Sequence, residues 1–227
     1  MRFGSLFSGI GGMDLGLERA GMTCAWQVEI DEFCRKVLTK HWPNVPKFND
    51  VREVGKHNLE PVDLIAGGFP CQDISHAGLR IGIDGKRSGL WSEFARIIRE
   101  LRPRLALVEN VPALADRGMD RVLGDLARLG FDAEWFVLSA CAFGAPHTRE
   151  RMFILAYPTG EQSRQLRRIK CTPSGAPQRN LCWSQAEPPV TRVVDGTPNR
   201  LERLTGGGNA VVPQVAEWIG SRILDSI

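Results

Sequence analysis

Phe3-Gly4-Ser5-Leu6-Phe7-Ser8-Gly9-Ile10-Gly11-Gly12 reads as an apolar strand running into a glycine turn, after which apolar-periodic residues predict a helix over 12–20 ended by Gly21. A second strand is expected over 24–29 and a second helix over 31–41, with Asp31 as its N-cap. The alternation continues with a strand over 62–66, a long glycine-rich connection, a helix over 88–101, a strand over 105–109 and a helix over 116–129. Such βαβ order predicts an α/β fold with a mostly parallel sheet covered by helices on both faces. The strands expected over 133–139 and 151–157 have no helix between them and predict an antiparallel edge. A final helix is expected over 210–224, with Pro213 in its first turn.

A chain of 227 residues with 43% hydrophobic content can bury a substantial core. No apolar run approaches the roughly 20 residues of a membrane span, and no secretory pattern follows Met1-Arg2, so a cytoplasmic protein is expected. Cysteines 24, 34, 71, 141, 171 and 182 form no C-x-x-C pair and no metal-spaced cluster, so reduced thiols and no metal are expected. The net charge of +3 is unevenly spread. Residues 158–192 hold six basic side chains, among them Arg164, Arg167, Arg168 and Lys170, against two acidic ones, leaving the rest of the chain at −1. A basic segment on a nearly neutral body suits phosphate-backbone contact, although a solvated loop also produces one.

Five stretches carry chemistry. Gly67-Gly68-Phe69-Pro70-Cys71-Gln72-Asp73-Ile74-Ser75 sets a thiol past the end of a buried strand, where open α/β sheets place their ligands; a structural cysteine in a turn is the alternative. The turn 7–12 lacks the G-x-G-x-x-G pattern, but Glu29 ends the second strand where such sheets put an acid on ribose hydroxyls, and Asp50-Val51 could hold an adenine edge. An adenosine-containing cofactor follows. Leu107-Val108-Glu109-Asn110-Val111 brings a carboxylate to a strand end expected beside the Cys71 strand, where partial burial would raise its pKa. Arg149 and Arg151 in Pro146-His147-Thr148-Arg149-Glu150-Arg151 alternate into a strand and could point to one face, ready for a carboxylate or phosphate. Gly206-Gly207-Gly208-Asn209-Ala210-Val211-Val212-Pro213 opens the last helix.

The order F-S-G-I-G-G, G-F-P-C-Q, E-N-V, H-x-R-x-R, G-N-A-V-x-P resembles that of the DNA (cytosine-5) methyltransferases, over residues 3–157 and about 192–223. The resemblance implies a Rossmann-like, S-adenosylmethionine-dependent methyltransferase fold with three parts: a catalytic domain over 1–157, a reduced target-recognition segment over 158–192, and a closing motif and helix over 193–227. It implies that Phe7, Ile10, Gly11 and Gly12 form the cofactor turn, Glu29 holds the ribose, Ile30 stacks on adenine, Asp50 and Val51 meet its edge, Phe69 and Leu90 contact S-adenosyl-L-methionine, and Asn209 and Val211 close the pocket. Cys71 then matches the nucleophile, Glu109 the acid, and Arg149 and Arg151 the pair beside the target base, with Gln72 and Ser75 as candidates to fill the space left by a flipped cytosine or to touch the DNA backbone. The implied product is S-adenosyl-L-homocysteine, the implied partner double-stranded DNA, and a cognate restriction endonuclease is a possible companion. A tRNA cytosine-5 methyltransferase and a catalytically silent DNA-binding or regulatory homologue are the alternatives. The chain departs from the pattern at His147, where glutamine is common, at Ser5, where an acid is common, and in the flexible Thr205-Gly206-Gly207. The 35 residues of 158–192 predict short or relaxed sequence specificity.

Overall fold

The structure, a computed structural model, describes residues 1–70, 90–160 and 210–227. Strands β1 (Arg2–Leu6), β2 (Thr23–Val28), β3 (Lys47–Phe48), β4 (Leu64–Gly68), β5 (Leu105–Asn110), β6 (Phe131–Ser139) and β7 (Glu150–Pro158) form one sheet in the order β3-β2-β1-β4-β5-β7-β6. The first five are mutually parallel, and β7 runs antiparallel to both of its neighbours. The antiparallel pair at the sheet's end is as the sequence predicts. The later strand of that pair, β7, lies inside it and β6 forms the edge. Burial explains the order. Residues 152–157 of β7 are all buried and need cover on both sides, whereas β6 leaves Trp135 and Val137 exposed.

Helices α1 (Gly12–Arg19), α2 (Glu32–His41), α3 (Trp91–Leu101), α4 (Leu114–Arg117), α5 (Met119–Arg128) and α6 (Pro213–Leu224) cover the sheet. Asp31 caps α2 as its sequence suggests, its carboxylate accepting from the Cys34 amide at 2.8 Å. The helix expected over 116–129 is two helices, because Gly118 at φ 151° breaks the run in a conformation open to glycine. The start of the helix expected at 88 lies outside the described residues. Neither β3 nor the 3-10 turn Val51–Glu53 is evident in the sequence, each being too short for a periodic signal.

Apolar residues fill both faces. One layer joins Trp91, Phe94 and Ile97 of α3 to Val122 and Leu126 of α5 over Leu6, Ile65, Ala106 and Val108. The other joins Met13 and Leu17 of α1 to Val215, Ile219 and Ile223 of α6 over Phe3, Leu64, Leu105 and Leu107. Here α6 returns the chain's last helix to its first. They cross closely because Gly16 and Gly220 lack side chains: a Cβ on Gly16 would lie 2.3 Å from the Pro213 carbonyl oxygen, and one on Gly220 would lie 2.7 Å from Ala20 Cβ. Among the described residues no helix is long and apolar enough to cross a membrane.

Gly16→Ala is therefore expected to destabilise the protein by about 1–3 kcal/mol, because the methyl group meets backbone that must shift. Gly124→Ala in α5, where the nearest neighbour of an added Cβ is the Arg128 guanidinium at 3.9 Å, should stabilise it by about 0.5–1 kcal/mol. Denaturant titrations of the two variants check the contrast.

Candidate active site

A cavity of about 590 Å³ opens at the carboxyl ends of β1, β2, β4 and β5, the location that a parallel sheet favours for a ligand. Its floor is the turn after β1. Phe7 leaves that strand at φ 54°, in the left-handed region, with its ring stacked on Phe94 at 6.3 Å between centroids. Phe7 and Gly12 line the cavity; Ile10 and Gly11 are not among its lining residues. Gly11 instead caps α1 at φ 84°, and a Cβ there would lie 2.5 Å from the Trp42 ring, so helix packing accounts for its missing side chain. Gly9, absent from the sequence-based set, lines the cavity and ties the turn to the next strand.

That tie is Glu29. One of its carboxylate oxygens accepts from the Gly9 amide at 2.7 Å and the other from the Asp31 amide at 2.8 Å. Burial raises its pKa while these backbone bonds oppose the rise. Ile30 beside it is 66% exposed and lines the cavity, an apolar surface facing open space. Asp50 and Val51 line the same side, with Val51 buried and Asp50 gripped by Arg52, whose guanidinium holds the carboxyl below its ordinary pKa. Phe69, Leu90 and Val211 complete the predicted lining.

Asp14 is a further residue that sequence reasoning missed. It is fully buried, lines the cavity, and accepts from Ser5 Oγ and Gln27 Nε2, both at 2.7 Å. The serine at position 5 thus meets a carboxylate supplied from α1. Burial pushes the Asp14 carboxyl up to about 6, against the pull of these two hydrogen bonds. Gln27 Oε1 is buried without a partner among the described residues.

At the other end of the cavity β4 and β5 are adjacent, as the sequence predicts, and their register sets Gly68 opposite Glu109. A Cβ on Gly68 would lie 2.2 Å from Glu109 Oε2, so this glycine leaves room for the carboxyl. Glu109 Oε1 pairs with Arg151 Nε at 3.0 Å. Burial nevertheless raises the Glu109 carboxyl to about 7, with Arg151 and Arg149 opposing the rise. Asn110, also missed, is buried and donates from Nδ2 to the Phe69 carbonyl at 3.1 Å, fixing the backbone two residues before Cys71. Pro70, covalently joined to Cys71, lines the cavity. Arg149 turns to the Ala210 carbonyl at 2.6 Å and is not among the cavity-lining residues. Cys71, Gln72, Ser75, Arg164, Arg167, Arg168, Lys170 and Asn209 lie outside the described residues.

The sequence profile of the family described as C-5 cytosine-specific DNA methylase matches residues 1–188. The chain belongs to that family. A type II methyltransferase of Bacillus subtilis, M2.BsuMI, is 40% identical over 164 residues, covering 69% of this chain and 42% of its own length. M.HhaI of Haemophilus parahaemolyticus is 32% identical over 161 residues, covering 69% and 49%, and M.AquIA of Picosynechococcus is 33% identical over 178 residues, covering 69% and 72%. The chain therefore spans less than half of the first two of these relatives. Among solved structures, Entamoeba histolytica methyltransferase EhMeth superposes with a TM-score of 0.59 at 19% identity, over 70% of this chain and 53% of that one. The S. pombe Dnmt2 methyltransferase does so with a TM-score of 0.57 at 22% identity, over 71% and 52%. Both share the α/β methyltransferase fold.

The buried Asp14 carboxyl makes a pH-dependent contribution of known sign. Its folded-state pKa of about 6 exceeds the ordinary 3.8, so protonation favours the folded state, and that contribution is lost as pH rises through about 6. Asp14→Asn removes the titration, and an amide there can donate to Gln27 Oε1 once the Gln27 amide turns over. Relative to wild type, the variant should gain about 2–3 kcal/mol between pH 4 and pH 7, measured by denaturant unfolding across that range.

Proposed function

We propose that this chain is a DNA (cytosine-5-)-methyltransferase that uses S-adenosyl-L-methionine and acts through a covalent Cys71 adduct on a flipped-out cytosine. One observation carries the reading: a buried carboxyl, Glu109, with a pKa near 7, sits beside Arg151 at the end of the cavity that also holds Pro70, the residue joined to Cys71. Family membership and the names of the relatives support it.

The cavity fits the cofactor on its own features. Glu29 has oxygen lone pairs left for ribose hydroxyls, Ile30 offers apolar surface for a base, and Asp50, Val51, Phe69, Leu90 and Val211 surround the remaining space. When bound, S-adenosylmethionine supplies the methyl group as an electrophile. The protein's task is to make carbon 5 of cytosine nucleophilic, which the aromatic ring alone does poorly. In the proposed mechanism the Cys71 thiolate adds to carbon 6, and Glu109, protonated, donates to nitrogen 3 so that electron density moves toward carbon 5. A carboxyl titrating near 7 is protonated in about half of the molecules at neutral pH, enough to serve as the acid. Arg151 opposes the rise in Glu109 pKa and holds the group in place. Once carbon 5 has taken the methyl group, its proton passes to water, the carbon 6–sulfur bond breaks with the electron pair leaving on the Cys71 thiolate, and the nitrogen 3 proton returns to Glu109, which restores aromaticity.

Double-stranded DNA is the proposed substrate, its target base flipped at a cost of a few kcal/mol. We assign 1–157 as the catalytic domain, 158–192 as a reduced recognition segment and 193–227 as the closing motif. With 35 residues for recognition, short or relaxed specificity follows. The relatives' names, type II methyltransferases, support pairing with a cognate restriction endonuclease.

Purified protein should transfer labelled methyl groups to duplex DNA and form a covalent complex with 5-fluorocytosine DNA. Methylation of tRNA alone, or no methyl transfer by wild type, would overturn the proposal. Cys71→Ala should abolish both signals. Glu109→Gln should lower turnover by about 10²–10⁴-fold with cofactor affinity retained, and wild-type turnover should decline as pH rises above about 7, as Glu109 loses its proton. Gly68→Ala should lower turnover at least tenfold by displacing the Glu109 carboxyl, with the pH dependence altered in step.

A further inference from the structure

Arg149 and Arg151 are two residues apart and serve different partners. Arg151 faces Glu109, whereas Arg149 Nη2 donates to the carbonyl oxygen of Ala210, 61 residues further along the chain. The backbone explains the divergence. Arg149 has a φ of 32°, in the left-handed region, so it lies off the strand geometry that would point both side chains the same way. Its partly buried guanidinium makes a short, charge-assisted bond to a neutral carbonyl.

Ala210 and Val211 form one wall of the cavity. The Val211 carbonyl oxygen packs so closely on the cofactor turn that a Cβ on Gly12 would lie 2.2 Å from it. Beyond this wall, α6 begins at Pro213 and docks on α1. Residues 210–212 are thus held by α6, by contact with Gly12, by the packing of Val211 and Val212 on the core, and at Ala210 by Arg149.

We infer that Arg149 is a positioning residue for the cofactor, its guanidinium fixing residues 210–212 as the wall of the cavity and so setting S-adenosylmethionine affinity before any nucleic acid binds. The inference rests on the reading of the cavity given above and adds to it a role for Arg149 that contact with the target base does not require. Because the bond ties the wall to the strand that carries Arg151, occupancy of the cavity and order around Glu109 become linked, each favouring the other.

Calorimetric titration of the purified full chain with S-adenosylhomocysteine, without DNA, tests this. Arg149→Met should weaken binding about tenfold, the loss expected for one hydrogen bond to a charged group, and Arg149→Lys, which keeps a cationic donor, should recover part of it. Hydrogen exchange of wild type should show slower exchange at the amides of Val211, Val212, Gln214 and Val215 when S-adenosylhomocysteine is bound, a measurement that does not depend on the variants folding. Equal affinity in wild type and Arg149→Met, with loss confined to covalent trapping of DNA, would overturn the inference alone, as would unchanged exchange at those amides. Failure of the wild type to bind S-adenosylhomocysteine would overturn the cofactor reading of the cavity and this inference with it.

Discussion

A carboxyl buried at the end of a central strand is the constraint around which this site is built. Desolvation works against the charged form of Glu109 and raises its pKa to about 7, and three neighbours make the burial tolerable. Gly68 across the parallel register leaves the volume, Arg151 supplies a counter-charge that moderates the shift, and Asn110 holds the adjoining turn through the Phe69 carbonyl. Parallel pairing of β4 and β5 is what brings these groups together, since both strands end at the same level. A stronger ion pair would keep the carboxyl ionised; a drier site without Arg151 would push its pKa higher. The observed balance leaves a group able to hold or release a proton near neutrality.

The opposite end of the cavity handles a buried acid by another route. Among the described residues no cation lies beside Asp14, which is satisfied by neutral donors, Ser5 and Gln27. These favour the ionised form, yet burial outweighs them. Ser5 on β1 thus meets a carboxylate that α1 supplies nine residues later.

The alternation of strands and helices was legible because periodicity reports which face is buried, and Glu29 and Glu109 were legible because each ends an apolar run that reads as a strand; Ile30 came only from the resemblance to the family, and β3, which leads to Asp50 and Val51, is too short for a periodic signal. The split at Gly118, Asp14 and the direction of Arg149 were not legible. Each depends on a backbone angle or a three-dimensional neighbour that no local pattern encodes. Gly118 broke a helix that apolar spacing alone would continue. Asp14 sits in the first turn of α1, where an acid is ordinarily a solvated helix-end residue, and only the sheet beneath it makes it a buried one. Arg149 obeyed alternation in sequence and violated it in space because its φ is positive.

The two arginines then illustrate how one motif can serve two ends of a site. Had both pointed to Glu109, two cations on one carboxylate would hold it ionised and remove the balance just described. With Arg149 diverted to Ala210, Arg151 is the one cation in direct contact with Glu109 among the described residues, while the diverted one reaches a segment that also joins the fold through α6, the contact at Gly12 and the packing of Val211 and Val212 on the core. The close crossing of α1 and α6 at Gly16 and Gly220 sets where that segment enters, but it ends at Pro213 and leaves residues 210–212 to be fixed by other means. Backbone contact with Gly12 limits their approach from below, and the bond from Arg149 limits their retreat. The motif's spacing thus follows from geometry: one residue in register on β7 to meet the acid, and one out of register before it to hold the chain's last segment over the cavity.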